Sequence, residues 1–169
     1  MRLALEALPG TSKISPQRPF VQEASQQLFE EREELQTFVQ ITRQWWAEER
    51  NNFEVYVSEE TLIELNRGNY PNKTKLLESV SALPILLSNP EIDEITKVYI
   101  DHYLRPRKHR GDARHLAYAS FYQMDFLRTW NCNHLANGNK RLHLHNLNTR
   151  LQLQMPEILT PLQLFKEIL

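Results

Sequence analysis

One cysteine, Cys132, is all the chain holds. That excludes an internal disulfide and any multi-cysteine zinc site, and it fits a reducing compartment. No apolar run approaches the ~18 residues of a membrane helix. The opening Met1-Arg2-Leu3-Ala4-Leu5 soon meets Glu6 and Pro9, too short for the apolar centre of a secretory signal. The expectation is a cytoplasmic protein without a membrane partner. A charge excess is missing too: 20 Lys and Arg against 21 Asp and Glu leave a net charge of -1. Any attraction to nucleic acid must then come from a local patch. Repeats and low-complexity linkers are also absent. With 169 residues, 41% of them hydrophobic, the chain reads as one domain with a substantial core.

Apolar periodicity orders the rest. Residues 1–19, with Pro9-Gly10-Thr11-Ser12 and Ser15-Pro16, read as an N-terminal arm or loop, and the domain proper as 20–169. Phe20-Val21-Gln22-Glu23-Ala24-Ser25 reads either as a short first strand or as the start of the helix that continues through Gln26–Glu34. From Leu35 onward, Phe38, Val39, Thr42, Trp45 and Trp46 share one helical stripe. Phe53-Glu54-Val55-Tyr56-Val57 alternates as a strand does, and Ser58 caps a helix that carries Glu59 and Glu60 in its first turn. A helix from Pro71 to Pro84, a short apolar strand Ile85-Leu86-Leu87 and a helix with Pro90 in its first turn come next. The basic loop Arg105-Pro106-Arg107-Lys108-His109-Arg110 leads into a helix from Asp112 to about Met124 and a strand from Phe126 to Trp130. A polar helix from Asn139, a strand at Glu157-Ile158-Leu159-Thr160 and a helix from Pro161 close the chain. Strands alternating with helices predict an α/β fold with a central parallel sheet covered on both faces.

The chemistry concentrates around Gly111-Asp112-Ala113-Arg114-His115 and Thr129-Trp130-Asn131. Asp112 falls in a first helical turn, where a carboxylate suits the helix dipole. Asn131 follows the carboxyl end of a strand, where sites in open α/β sheets collect, though an asparagine there also shapes turns. His115, His134, His143 and His145 lack a ligand spacing and read as surface or core residues. Asp93 and Glu94 read as helix surface.

These motifs resemble those of PIN-domain nucleases, the fold of VapC-type toxins. There an Asp-Ala opens a small apolar helix, and a strand ending in Thr leads to an Asp or Asn. The likeness runs from about Gln44 to Leu164. It implies a three-layer α/β/α fold and a divalent-metal-dependent endoribonuclease using Mg²⁺ or Mn²⁺. Carried over residue by residue, Asp112 matches the central aspartate, Glu64 the glutamate after the second strand, and Asn131 the fourth position. Glu23 in Glu23-Ala24-Ser25 stands where the family has Asp/Glu-Thr-Ser, with Ala24 replacing the threonine and Arg18-Pro19-Phe20-Val21-Gln22 replacing the apolar strand. The resemblance implies that these four are catalytic, metal-holding residues. Beside them, the loop cations Arg107, Lys108 and Arg110, with Arg114 one turn into the helix, either position RNA phosphates or form a solvated loop, and Ser25 is either a further positioning residue or an ordinary helix residue. The resemblance also implies a homodimer and an antitoxin partner. A second reading keeps the scaffold without the activity: a PIN-like module, short of its first acid, that binds an antitoxin or nucleic acid.

Overall fold

The computed structural model describes residues 1–5, 36–67, 73–102, 110–130 and 138–165. Five strands are present: β1 (Arg2–Leu5), β2 (Glu54–Ser58), β3 (Ile85–Leu86), β4 (Phe126–Arg128) and β5 (Glu157–Leu159). Helices are α1 (residues 36–48), α2 (Glu59–Arg67), α3 (Lys73–Ser81), α4 (Pro90–His102), α5 (Arg110–Phe121) and α6 (Gly138–Arg150). Short 3-10 turns occupy Arg50–Asn52 and Pro161–Leu164. The strands form one sheet in the order β3-β2-β1-β4-β5, and every pairing is parallel.

The beginning of the chain differs from its sequence reading. Residues 2–5 are not part of a loose arm; they are the central strand. Leu3 is opposite Val55 on one side and Phe126 on the other. The strand is tied at its start: Arg2 N–H donates to the Asp125 carboxylate at 2.8 Å, and Asp125 N–H donates back to the Arg2 carbonyl at 3.0 Å. Leu3 and Leu5 point to one face and Ala4 to the other, and all three are buried. A four-residue run suffices because both its edges are paired and both its faces are covered. The expected strand at residues 20–25 lies outside the described residues.

The layers follow from this alternation. On one face Ala4, Leu86, Leu127 and Ile158 meet Tyr99, Leu116, Ala117 and Leu144 of α4, α5 and α6. Small residues, Ala113, Ala117 and Ala119, line α5 and allow close approach to the sheet. On the other face Leu3, Leu5, Val55 and Val57 meet Trp45, Leu65, Val80 and Leu164. The arrangement is a three-layer α/β/α sandwich around a parallel sheet. Trp45 is fully buried on α1, and Trp130 stacks on Phe38 at 4.2 Å while donating Nε1–H to Thr42 Oγ1 at 2.9 Å. The stripe read from the sequence is thus the packed face of α1. No helix among the described residues is long and apolar enough to cross a membrane.

Scarcity of glycine shows at two helix ends. Gln123 and Gln152 adopt positive φ, 53° and 57°. Each closes a Schellman motif: Met124 N–H donates to the Ala119 carbonyl and Gln123 N–H to Ser120, while Leu153 N–H donates to Asn148 and Gln152 N–H to Thr149.

A buried polar cluster locks the helical layer together. The Tyr99 hydroxyl lies 3.0 Å from Ser120 Oγ and 2.6 Å from Asn148 Oδ1. Asn148 Nδ2–H donates to Ser120 Oγ at 2.9 Å and to the Gln154 carbonyl at 3.0 Å. A hydroxyl has one proton, so the three groups close a ring: Tyr99 donates to Asn148, Asn148 to Ser120, and Ser120 to Tyr99. Burial is the largest influence on the Tyr99 phenol. It outweighs the two hydrogen bonds and pushes its pKa up to about 12.

Candidate metal centre at the carboxyl edge of the sheet

The connection from β1 leads to β2 on one side, and that from β4 leads to β5 on the other. The carboxyl ends of β1 and β4 therefore flank the topological switch point, where an α/β sheet opens a crevice. Two helices bring carboxylates to this edge.

The first is α2. Its N-terminus is fastened to the end of β1 by a chain of buried hydroxyls. Thr61 N–H donates to Ser58 Oγ at 3.2 Å, which makes Ser58 the helix cap the sequence predicts. Thr61 Oγ1 donates to the Leu5 carbonyl at 2.8 Å, so Ser58, 3.1 Å away, donates to Thr61. Glu64 follows on α2, half-buried, with 27% of its side chain exposed.

The second is α5. It runs down into β4, so its first turn, with half-buried Asp112, stands at the same edge. Glu64 reaches this turn. A Cβ built on Gly111 would sit 2.8 Å from Glu64 Oε1, so glycine is what lets the carboxylate approach. The other oxygen, Oε2, lies 3.0 Å from His115 Nε2. A carboxylate only accepts, so His115 donates from Nε2. His115 is buried, its side chain 2% exposed. The structure therefore brings Glu64 against Gly111, the residue that precedes Asp112.

The remaining predicted site residues divide differently. Glu23, Ser25, Arg107, Lys108 and Asn131 lie outside the described residues. Arg110 opens α5, two positions before Asp112. Glu23 was matched to the end of a first strand at residues 20–25; the central strand instead ends at Leu5, and the residue that follows it in sequence is Glu6.

Arg114 is a correction. Expected beside the cations that face phosphate, it is half-buried and engaged by acids of two neighbouring helices. Its Nε lies 2.7 Å from Glu60 Oε2, its NH1 pairs with Asp93, and its guanidinium stands 5.7 Å over the Tyr118 ring. Partial burial opposes its charge, but Asp93, Tyr118 and Glu60 outweigh that and raise its pKa further. Arg114 thus clamps α2, α4 and α5 together. Asp93 is exposed helix surface, as expected, and pairs with Arg114. His143 and His145 are exposed, also as expected.

Sequence reasoning missed the Glu64–His115 pair. The signal was present in the four-residue spacing of Gly111 and His115, which puts a gap and a donor on one helix face. It became readable only once a carboxylate from another helix was known to face that side.

Glu64 and Asp112 are hard oxygen donors on facing helices. One or two carboxylates with retained waters are the usual protein share of a Mg²⁺ site, so these residues fit such an ion. Among the described residues no group of three metal-ligating side chains occurs. Comparison with protein-family models, with curated proteins and with solved structures finds no match to this chain.

Proposed function

We propose that the chain is a divalent-metal-dependent endoribonuclease resembling the VapC-type PIN nucleases, with Glu64 and Asp112 as its central metal-holding pair. One observation supports the reading: the Glu64 carboxylate stands against Gly111 in the first turn of α5, the turn that carries Asp112. Negative side chains gathered at a helix N-terminus are individually favourable there, and together they build a cation site. When bound, Mg²⁺ or Mn²⁺ supplies an activated water and neutralises charge on the scissile phosphate. The chain's own part is to hold the ion with Glu64 and Asp112 and to aim cations of the 105–110 segment, Arg107, Lys108 and Arg110, at the RNA backbone. Asn131, three residues after β4 in sequence, joins the proposed set through the resemblance. The first acid is assigned to Glu6, which follows the central strand, in preference to Glu23. A homodimer and an antitoxin partner belong to the proposal through the resemblance.

The test is cleavage of a mixed-sequence RNA by the purified chain with Mn²⁺, with and without chelator, alongside Asp112→Asn and Glu6→Gln. Metal-dependent cleavage lost in Asp112→Asn, with the melting temperature kept, supports the assignment. Undiminished cleavage in Asp112→Asn overturns it.

A second reading, a PIN-like scaffold that binds an antitoxin or nucleic acid without cutting, is favoured by one specific contact: Glu64 already gives one oxygen to His115. Binding of RNA with no cleavage at millimolar Mn²⁺ selects it.

A further inference from the structure

We infer that Gly111 and His115 form a seat that orients the Glu64 carboxylate for metal binding, His115 acting as a positioning residue; this rests on the metal-holding role of Glu64 proposed above. The two residues are one turn apart on α5 and face α2 together. Each handles one oxygen of the same carboxylate. His115 holds Oε2 at 3.0 Å from a buried ring. Gly111 leaves the space that Oε1 occupies, since any Cβ there would stand 2.8 Å from it.

A glutamate side chain has three torsions, and an untethered carboxylate samples many orientations. Holding Oε2 at His115 restricts the carboxylate and leaves Oε1 against Gly111, one residue before Asp112 in sequence. The hydrogen bond also sets the imidazole: with Nε2 as donor to Glu64, the ring nitrogen at the site is a proton bearer and so is not available as a ligand. His115 therefore serves the metal through Glu64 and does not touch it. Outer partners of this kind set the affinity of the ligand they hold, and their loss costs about 10–100-fold in metal binding.

The experiment is calorimetric titration of Mn²⁺ into the full chain, with the melting temperature of each variant recorded without metal. His115→Leu keeps an apolar body in the pocket and removes the donor; Mn²⁺ binding weakens by about 10–100-fold. His115→Gln restores an Nε2–H donor and recovers most of the affinity. Gly111→Ala pushes Oε1 away while improving helix propensity. It weakens Mn²⁺ binding with a melting temperature unchanged or raised, and it keeps the test decisive should His115→Leu fail to fold. Wild-type affinity in Gly111→Ala or in a folded His115→Leu overturns the seat and leaves the metal reading standing. A weakened His115→Leu that Gln does not rescue assigns His115 to packing and also overturns it. Absence of Mn²⁺ binding by the wild type removes both readings at once.

Discussion

Tyr99→Phe removes a single oxygen from a closed ring of buried hydrogen bonds, and its cost can be worked from that ring. The hydroxyl donates to Asn148 Oδ1 at 2.6 Å and accepts from Ser120 at 3.0 Å, with Tyr99 fully buried. Phenylalanine keeps the ring packing and loses both bonds. Asn148 Oδ1 is left without its donor and the Ser120 hydroxyl without its acceptor. An unsatisfied buried polar group costs about 1–3 kcal/mol; with the Asn148 oxygen orphaned outright and the rotatable Ser120 hydroxyl only in part, the substitution costs about 2–4 kcal/mol in all. For a chain of this size each kcal/mol is worth about 2–4 °C, so the melting temperature falls by about 5–15 °C.

A pH arm makes the reasoning stricter. The Tyr99 pKa is pushed from 10.0 to about 12, chiefly by burial. A group raised on folding contributes stability that is fully present below its unfolded pKa and is lost as pH rises through the folded value. In wild type this contribution, about 2–3 kcal/mol, disappears between pH 10 and 12. Phenylalanine has no such term. The stability gap between the two proteins should therefore be constant below pH 10 and should shrink by that amount toward pH 12. Urea denaturation at stepped pH measures both. A loss below about 1 kcal/mol at neutral pH, or a gap that does not close at high pH, refutes the ring as described.

Three more outcomes follow from particular contacts. Thr61→Val strips the Leu5 carbonyl and the Ser58 hydroxyl of a partner at the root of α2, and denaturant titration should show a loss of about 1–3 kcal/mol. Leu3→Ala, in the central strand and 0% exposed, should cost about 2–5 kcal/mol by the same assay; near-neutral behaviour would deny that residues 2–5 lie in the sheet. Gln123→Gly relieves a left-handed residue at the end of α5 and should raise stability by about 0.5–1 kcal/mol in thermal melts.

Legibility from sequence tracked how much local signal each element had. The α1 stripe, the Ser58 cap, the alternation of β2 and the proline start of α4 were readable because they depend on neighbours a few residues away. The all-parallel sheet followed from the alternation of strands and helices. The central strand was not readable as such. Arg2–Leu5 is only four residues long, contains no β-branched side chain, and owes its stability to β2 and β4, whose partners for Leu5, Val57 and Arg128, come 52 and 123 residues later. Glu64 and Asp112 enter the candidate site through the motif around each. Their juxtaposition with Gly111 and His115 was not legible, because it depends on how α2 leans on α5. Arg114 was misread for the same reason: its acids, Glu60 and Asp93, come from two other helices.

The central claim is that Glu64 and Asp112 hold one ion between them. Its most direct test is a double-mutant cycle on Mn²⁺ affinity with Glu64→Gln, Asp112→Asn and the pair, measured on the full chain. Two ligands of one ion act as a unit, so each single variant should lose most of the binding and the pair little more. Losses that add independently, or a wild type that binds no Mn²⁺, would contradict the shared site.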